Sequence, residues 1–309
     1  MDITNTIITV LALVIIFIVS IQKFSRHIEE IAGIRLKEIL NNWTNTPLKG
    51  TVTGGVLSAI IQSGTAATII TVGLVNSQLI SFTNALGVTI GINIGTTITS
   101  QLVALNMTYI APTVVILGFL LSHTHSRFTK YGKAVFYFGM MFLSLLIISF
   151  LLEPLKSNPS VVYFLQNSQS IYATIIIGAL ATLFLQSGSV LMGLVILLAS
   201  GGLLGLNQAI GFLCGAFIGG PLASFIASMH AKTEAKKVAV AQILFNLFAL
   251  LIFLPILIPF ENLLRLTTTN IGQQIVNAQF IMNISTAILC LIFIKPFSKL
   301  VTFTTKKLL

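Results

Sequence analysis

Charge is what this sequence has least of: 8 % of its 309 residues are Asp, Glu, Lys or Arg, against about 25 % in an ordinary soluble domain. Set beside 55 % hydrophobic residues, that scarcity excludes the soluble globular class. The formal net charge of +10 is then not a nucleic-acid footprint, because a chain this apolar has no polar surface on which to spread one. It is a membrane-orientation signal. Only two cysteines occur, Cys214 and Cys290, each inside an apolar run, which excludes a disulfide framework and a CxxC metal site. A basic n-region is missing too: Asp2 stands in its place, and no small-residue cleavage site follows the apolar run 7–21. The N-terminus therefore reads as a retained membrane segment rather than a secretory signal.

The 7 acidic residues, Asp2, Glu29, Glu30, Glu38, Glu153, Glu234 and Glu261, are all expected at helix ends or in loops. No carboxylate is left at bilayer depth, so the buried proton relay of a proton-coupled pump is missing. His27, His123, His125 and His230 fall in loop or interfacial segments. With neither a carboxylate nor a histidine expected beside the serines, serine-hydrolase chemistry is excluded. A bound cation is left to hydroxyls, amide oxygens and backbone carbonyls, an uncharged oxygen set that suits Na⁺.

What is there is a series of apolar runs. A spanning helix needs about 20 apolar residues, and full spans are predicted at 7–21, 79–105, 109–121, 133–152, 206–229, 238–259 and 278–294, of which 109–121 is short and leans on its flanks. The stretch 23–43 carries both charge signs and is predicted to lie at the cytoplasmic interface. Two further stretches, 51–76 and 172–200, are apolar halves interrupted by Gln-Ser-Gly. Each half is too short to cross alone, so each stretch is predicted to be a re-entrant helical hairpin whose turn is covered by protein or lines a cavity.

The two stretches are copies. A gapless shift of 124 residues places Gly54 on Gly178, Gln62-Ser63-Gly64 on Gln186-Ser187-Gly188, Gly87 on Gly211, Gly91 on Gly215, Ile94-Gly95 on Ile218-Gly219 and Ser100 on Ser224. Three predicted crossings separate each residue from its counterpart, so the copies face opposite ways, as in the inverted repeats of secondary transporters. With the N-terminus outside and the C-terminus cytoplasmic, 15 of the 17 basic residues lie on the cytoplasmic side and only Lys156 and Arg265 outside. The predicted fold is thus an all-α integral membrane protein of the plasma membrane, with an inverted-topology duplication, two re-entrant hairpins and broken helices. The organisation is one transmembrane transporter domain over 1–309: an N-terminal helix at 1–22, repeat 1 at about 23–152 and repeat 2 at about 153–294.

No Lys or Arg is predicted at mid-membrane either, so an anionic substrate must be held by helix N-termini, whose free N–H groups and positive dipole ends bind anions. The substrate-binding residues predicted on this basis are Gln62, Ser63, Gly64 and Thr65 with Gln186, Ser187, Gly188 and Ser189. Gly91-Ile92-Asn93-Ile94-Gly95-Thr96-Thr97 is predicted to unwind locally and offer its oxygens to Na⁺. Asn93, Thr96 and Thr97, with Ser63 and Ser187, are the predicted sodium ligands. The second copy has Phe217, Gly220 and Pro221 where Asn93, Thr96 and Thr97 stand, so the cation side is predicted to rest on the first copy.

QSGTAAT at 62–68, QSGS at 186–189 and GINIGTT at 91–97 resemble the motifs of the Na⁺/phosphate cotransporter family (type II, bacterial and animal members), with glycine for the second serine in both Gln-Ser motifs. KKVAVAQILFNL at 236–247 and VNAQFIMN at 276–283 resemble the tail of the bacterial members, with Gln242 and Gln279 where histidine is common. The resemblance covers most of the chain and ends without the PhoU-like cytoplasmic domain that many bacterial members carry. It implies Na⁺-driven uptake of inorganic phosphate by alternating access, with phosphate, Na⁺ and the bilayer as partners and no cofactor beyond Na⁺ as coupling ion. A homodimer is among the assemblies it implies. The alternatives are a sodium symporter for another small anion and a transport-inactive membrane scaffold of the same fold.

Overall fold

The computed structural model describes residues 3–104, 107–124, 128–153 and 170–308. Asp2, His125, Arg127 and Lys156 lie outside the described residues, as do the side chains of Arg35, Lys37 and Glu38. Among the described residues every regular element is helical. The first half holds α1 (Ile3–Trp43), α2 (Pro47–Ile61), α3 (Gly64–Asn76), α4 (Phe82–Ala104), a short 3₁₀ turn (Met107–Ile110), α5 (Ala111–Ser122) and α6 (Thr129–Leu152). The second holds α7 (Ile171–Leu185), α8 (Gly188–Ser200), α9 (Leu206–Ala227), α10 (Thr233–Phe253), α11 (Leu257–Thr267), α12 (Ile271–Ile292) and α13 (Ile294–Leu308). Six segments are long and apolar enough to cross a bilayer: Ile8–Ile31 within α1, and α4, α6, α9, α10 and α12. The chain is a multi-pass membrane protein.

The run predicted as a short span at 109–121 gives the 12-residue α5, entered directly from the 3₁₀ turn Met107–Ile110; together they reach about 26 Å, just under a hydrocarbon core about 30 Å thick. The charged stretch 23–43 belongs to the same helix as the first apolar run, because α1 continues unbroken for 41 residues. One expectation is corrected here: 91–97 does not unwind, and α4 is continuous through it. The polar groups there bond to their own helix, Asn93 Nδ2 to the Thr89 carbonyl at 2.9 Å, Thr96 Oγ1 to Asn93 O at 2.8 Å and Thr97 Oγ1 to Ile94 O at 2.7 Å.

The glycines of that segment are contact points rather than breakers. A Cβ on Gly87, Gly91 or Gly95 would overlap the carbonyl oxygen of Pro47, Thr51 or Gly55 respectively, so α2 lies directly on α4. Both members of each pair advance by four residues, so the two helices run parallel. The second copy repeats this: a Cβ on Gly215 or Gly219 would overlap the carbonyl of Ile175 or Ala179, placing α7 parallel on α9. Small residues spaced four apart are how membrane helices bring their backbones together. By contrast, α5 and α6 pack antiparallel, Gly118 against Phe136 and Gly132 against Ser122.

The breaks between half-helices are also duplicated. Gln62 ends α2 at φ 60° and Gln186 ends α7 at φ 54°, both left-handed, and the next residue, Ser63 or Ser187, is the extended N-cap of the following half-helix. Gln78 at φ 60° and Gly202 at φ 75° close α3 and α8. These four positions form two pairs at the 124-residue spacing. Beyond the half-helices, Lys232 N donates to Asn76 Oδ1 at 2.8 Å, joining the end of α3 to the start of α10. At the start of α12, Gly272 abuts Ser200 at the end of α8, while Gln273 exchanges amide hydrogen bonds of 3.1 and 3.2 Å with Gln101 near the end of α4.

Candidate functional site

Each half-helix start exposes backbone N–H groups that have no carbonyl one turn back. Ser63 Oγ accepts one of them, from Ala66 at 3.2 Å, and Ser187 Oγ accepts its counterpart from Val190 at 3.4 Å. The remaining N–H groups of the first turns of α3 and α8 point past the caps. A cavity of about 70 Å³ lies there, lined by Gly64 and Thr65 of α3 and by Ser187, Gly188 and Ser189 of α8. That space accommodates a small oxyanion or several waters. Two helix N-termini from opposite halves of the chain therefore aim their positive dipole ends at one volume.

Much of the rest of its polar wall is amide. Asn93 and Thr96 of α4, Gln242 and Asn246 of α10 and Gln279 of α12 line it, with Phe217 and Pro221 of α9 as its apolar side. Asn93 is the hub. Its Nδ2 donates to Gln242 Oε1 at 3.1 Å, its Oδ1 accepts from Gln242 Nε2 at 2.8 Å and from Asn246 Nδ2 at 3.2 Å, and its backbone carbonyl accepts from Asn283 Nδ2 at 2.7 Å. All four amide side chains of this network are buried, Asn283 being 1 % exposed. Among the described residues no carboxylate, histidine or lysine lines the cavity.

The predicted residues are thus gathered, but not all in one place. Gly64, Thr65, Ser187, Gly188, Ser189, Asn93 and Thr96 meet at the cavity. Gln62, Ser63 and Gln186 line a second space of about 410 Å³, whose wall also includes Thr65 and Ser187, so the two turns face each other across both. Thr97 lines neither; it is buried with its hydroxyl bonded to Ile94 O. The second space corrects the expectation that no carboxylate lies near the serines. Arg26 and Glu29, carried there by the uninterrupted α1, line it beside Ser63 and Ser187, and Ser25 Oγ bonds to the Ile61 carbonyl.

The residues that sequence reasoning left out of the site are Gln242, Asn246, Gln279 and Asn283. Their signal is in the sequence: Ala-Gln-x-x-x-Asn occurs at 241–246 and again at 278–283. In each, four-residue spacing puts both amides on one helix face. Two of the buried side-chain oxygens with no hydrogen-bond donor among the described residues belong to the second of these pairs, Gln279 Oε1 and Asn283 Oδ1.

Residues 16–149 match the profile of the Na⁺/Pi-cotransporter family. The uncharacterized protein YqeW of Bacillus subtilis is 27 % identical over 251 residues, 80 % of this chain and 81 % of that protein. YjbB of Salmonella typhimurium, a candidate inorganic phosphate export protein, is 25 % identical over 235 residues, and the aligned part is 75 % of this chain but 43 % of that longer protein. Human sodium-dependent phosphate transport protein 2B is 31 % identical over 101 residues, 32 % of this chain and 15 % of that one. No solved structure matches.

Proposed function

For a chain that belongs to the Na⁺/Pi-cotransporter family, we propose sodium-coupled import of inorganic phosphate across the plasma membrane by alternating access. The observation that carries this reading is the convergence of the α3 and α8 N-termini on one cavity that no basic side chain lines among the described residues. Such a cavity selects an anion through N–H and hydroxyl donors. Phosphate, with several acceptor oxygens, matches Gly64, Thr65, Ser187, Gly188 and Ser189 as donors from two sides. A cation completes the charge balance, and the uncharged amide wall opposite the donors is its counterpart.

An inverted arrangement of re-entrant hairpins is the architecture we propose for this movement. Its support is geometric. The parallel packing of α2 on α4 means that α3 must return toward the level at which α2 began, and α7, α8 and α9 stand in the same relation. The start of α12 touches both the end of α4 and the end of α8, and α9 begins six residues after Ser200. At the opposite level, Lys232 just after α9 bonds Asn76 just before α4. These contacts set α4 and α9 running in opposite directions, the relation of two inverted halves. With α5 as a short seventh crossing and the basic residues on the cytoplasmic side, the proposed orientation has the N-terminus outside and the C-terminus cytoplasmic, which thiol labelling tests: a cysteine at Arg265 reacts only from outside and one at Lys306 only from the cytoplasm.

The deciding experiment is uptake of labelled phosphate into vesicles that contain the purified protein. An inward Na⁺ gradient accelerates uptake over a choline control. Equal rates in the two media overturn sodium coupling. A competing oxyanion such as sulfate that is carried in preference to phosphate moves the reading to another small anion, and the absence of any flux leaves the scaffold. Phosphate movement in the outward direction alone would instead match the export named for YjbB.

A further inference from the structure

We infer that the second Ala-Gln-x-x-x-Asn pair, Gln279 and Asn283 on α12, forms a monovalent-cation site beside the anion cavity, in place of the α4 side chains to which the sequence pointed. The inference deepens the transport reading above and assigns the ion to different residues.

The amides of the first pair are already engaged. Asn93 exchanges both polar ends of its side chain with Gln242 and Asn246, Thr96 returns its hydroxyl to Asn93 O and Thr97 returns its own to Ile94 O. The Asn93 amide is thus occupied at both ends, Thr97 lies away from the cavity, and Thr96 keeps only its hydroxyl lone pairs for an ion. Gln279 and Asn283 differ. Gln279 is 6 % exposed, lines the cavity, and its Oε1 meets no donor among the described residues. Asn283 spends its Nδ2 on the Asn93 carbonyl, which fixes the orientation of its amide and leaves Oδ1 as the end without a donor. One helical turn separates the two. Two buried carbonyl oxygens without donors cost free energy unless something positive meets them.

The duplication explains why these oxygens are free. In the first copy the amide partner is Asn93; at the equivalent position of the second copy stands Phe217, which lines the same cavity and brings no N–H. Asn246, whose Nδ2 is shared between Asn93 Oδ1 and the Gln242 carbonyl, has its own oxygen left for the cavity it lines. The Gln279 and Asn246 oxygens thus share the cavity with the donors of the α3 and α8 N-termini, and Asn283 Oδ1 lies one turn along α12 from Gln279.

The charge of the occupant follows from what is missing. Divalent ions are held by carboxylates, whose number sets their affinity, and among the described residues no carboxylate lines this cavity. Amides do not titrate, so a proton cannot substitute for the ion. A monovalent cation held by neutral oxygens gains from an anion bound across the same small space, because opposite charges at short range attract. Each ligand then raises the affinity for the other by the same factor.

The test uses the full-length protein in lipid nanodiscs, with NaCl titrated against choline chloride at constant ionic strength and no phosphate, and the thermal unfolding midpoint as readout. The wild type is stabilised by Na⁺ over choline. Gln279→Leu shifts the half-saturating Na⁺ concentration upward tenfold or more, and Gln279→Glu shifts it downward and makes it depend on pH. A wild type indifferent to Na⁺, or a Gln279→Leu protein with the wild-type half-saturation, overturns the site. If Gln279→Leu does not fold, an unchanged half-saturation in Gln279→Glu overturns it. The transport reading fails separately: a protein that binds Na⁺ through Gln279 yet moves no phosphate in vesicles keeps the site and loses the symporter. One that moves phosphate with unaltered Na⁺ dependence in Gln279→Leu keeps the symporter and loses the site.

Discussion

Asn93 and Gln242 face each other amide to amide and exchange two hydrogen bonds of 3.1 and 2.8 Å across a separation of 149 residues. The pair joins α4 of the first half to α10 of the second, and Asn246 adds a third bond to the same Asn93 oxygen. Deep in an apolar bundle such a pair fixes which helix faces which, because any other register strands polar groups away from water.

Removing one member of the pair should therefore act on stability. Asn93→Ala leaves the Gln242 amide buried without its partner, at an expected cost of about 1–3 kcal/mol. The midpoint of thermal unfolding in detergent should fall, whereas Thr97→Val, which removes a hydroxyl bonded only within its own helix turn, should change it by about 0.5 kcal/mol or less. A Thr97→Val loss equal to that of Asn93→Ala would contradict the network.

The glycine ladders give a prediction of opposite kind. Gly91→Ala and Gly215→Ala each drive a methyl into a backbone carbonyl, Thr51 O and Ile175 O respectively, and backbone cannot step aside as a side-chain tip can. Separation of α2 from α4, or of α7 from α9, should cost about 1–3 kcal/mol from overpacking. Gly73→Ala, where the added carbon meets nothing within 4 Å, should be neutral or slightly stabilising, since alanine favours helix. Unfolding midpoints of the three variants decide it.

Restoring serine to the two Gln-Ser-Gly turns should give unequal results. A Cβ at Gly188 meets only ordinary contacts, the nearest being Ala216 Cβ at 3.7 Å, whereas at Gly64 it comes within 2.8 Å of Thr96 Cγ2. Gly188→Ser should fold as the wild type does and add one hydroxyl to the anion cavity. Gly64→Ser must rotate Thr96 away from its bond to Asn93 O, and it should lower the unfolding midpoint. Equal tolerance at both positions would mean that Thr96 moves freely.

The cap serines combine both effects. Ser63→Ala and Ser187→Ala each remove the acceptor for a first-turn N–H and should cost about 1 kcal/mol. Ser187 lines the anion cavity and Ser63 does not. Its loss should thus also raise the phosphate concentration needed for half-maximal uptake, an effect absent from Ser63→Ala.

Most of what the sequence by itself determined depends on near neighbours along the chain. Apolar runs of the right length mark helices, a Gln-Ser-Gly that ends one half-helix and caps the next marks a break, and the 124-residue duplication predicts that both breaks share a backbone, as Gln62 and Gln186 do at φ 60° and 54°. The tertiary structure decided the rest, because those choices depend on what packs against each segment. Gly-Ile-Asn-Ile-Gly-Thr-Thr looks like a place for a helix to unwind, yet its glycines hold α2 at backbone contact and its polar side chains return to their own helix or to α10, so α4 stays whole. The Ala-Gln-x-x-x-Asn segments were legible only as a resemblance, since an amide inside an apolar helix does not state its partner. Those partners lie 149 and 190 residues away, and at such separations pairing is set by how the helices assemble, which leaves the Gln279 and Asn283 oxygens without a donor.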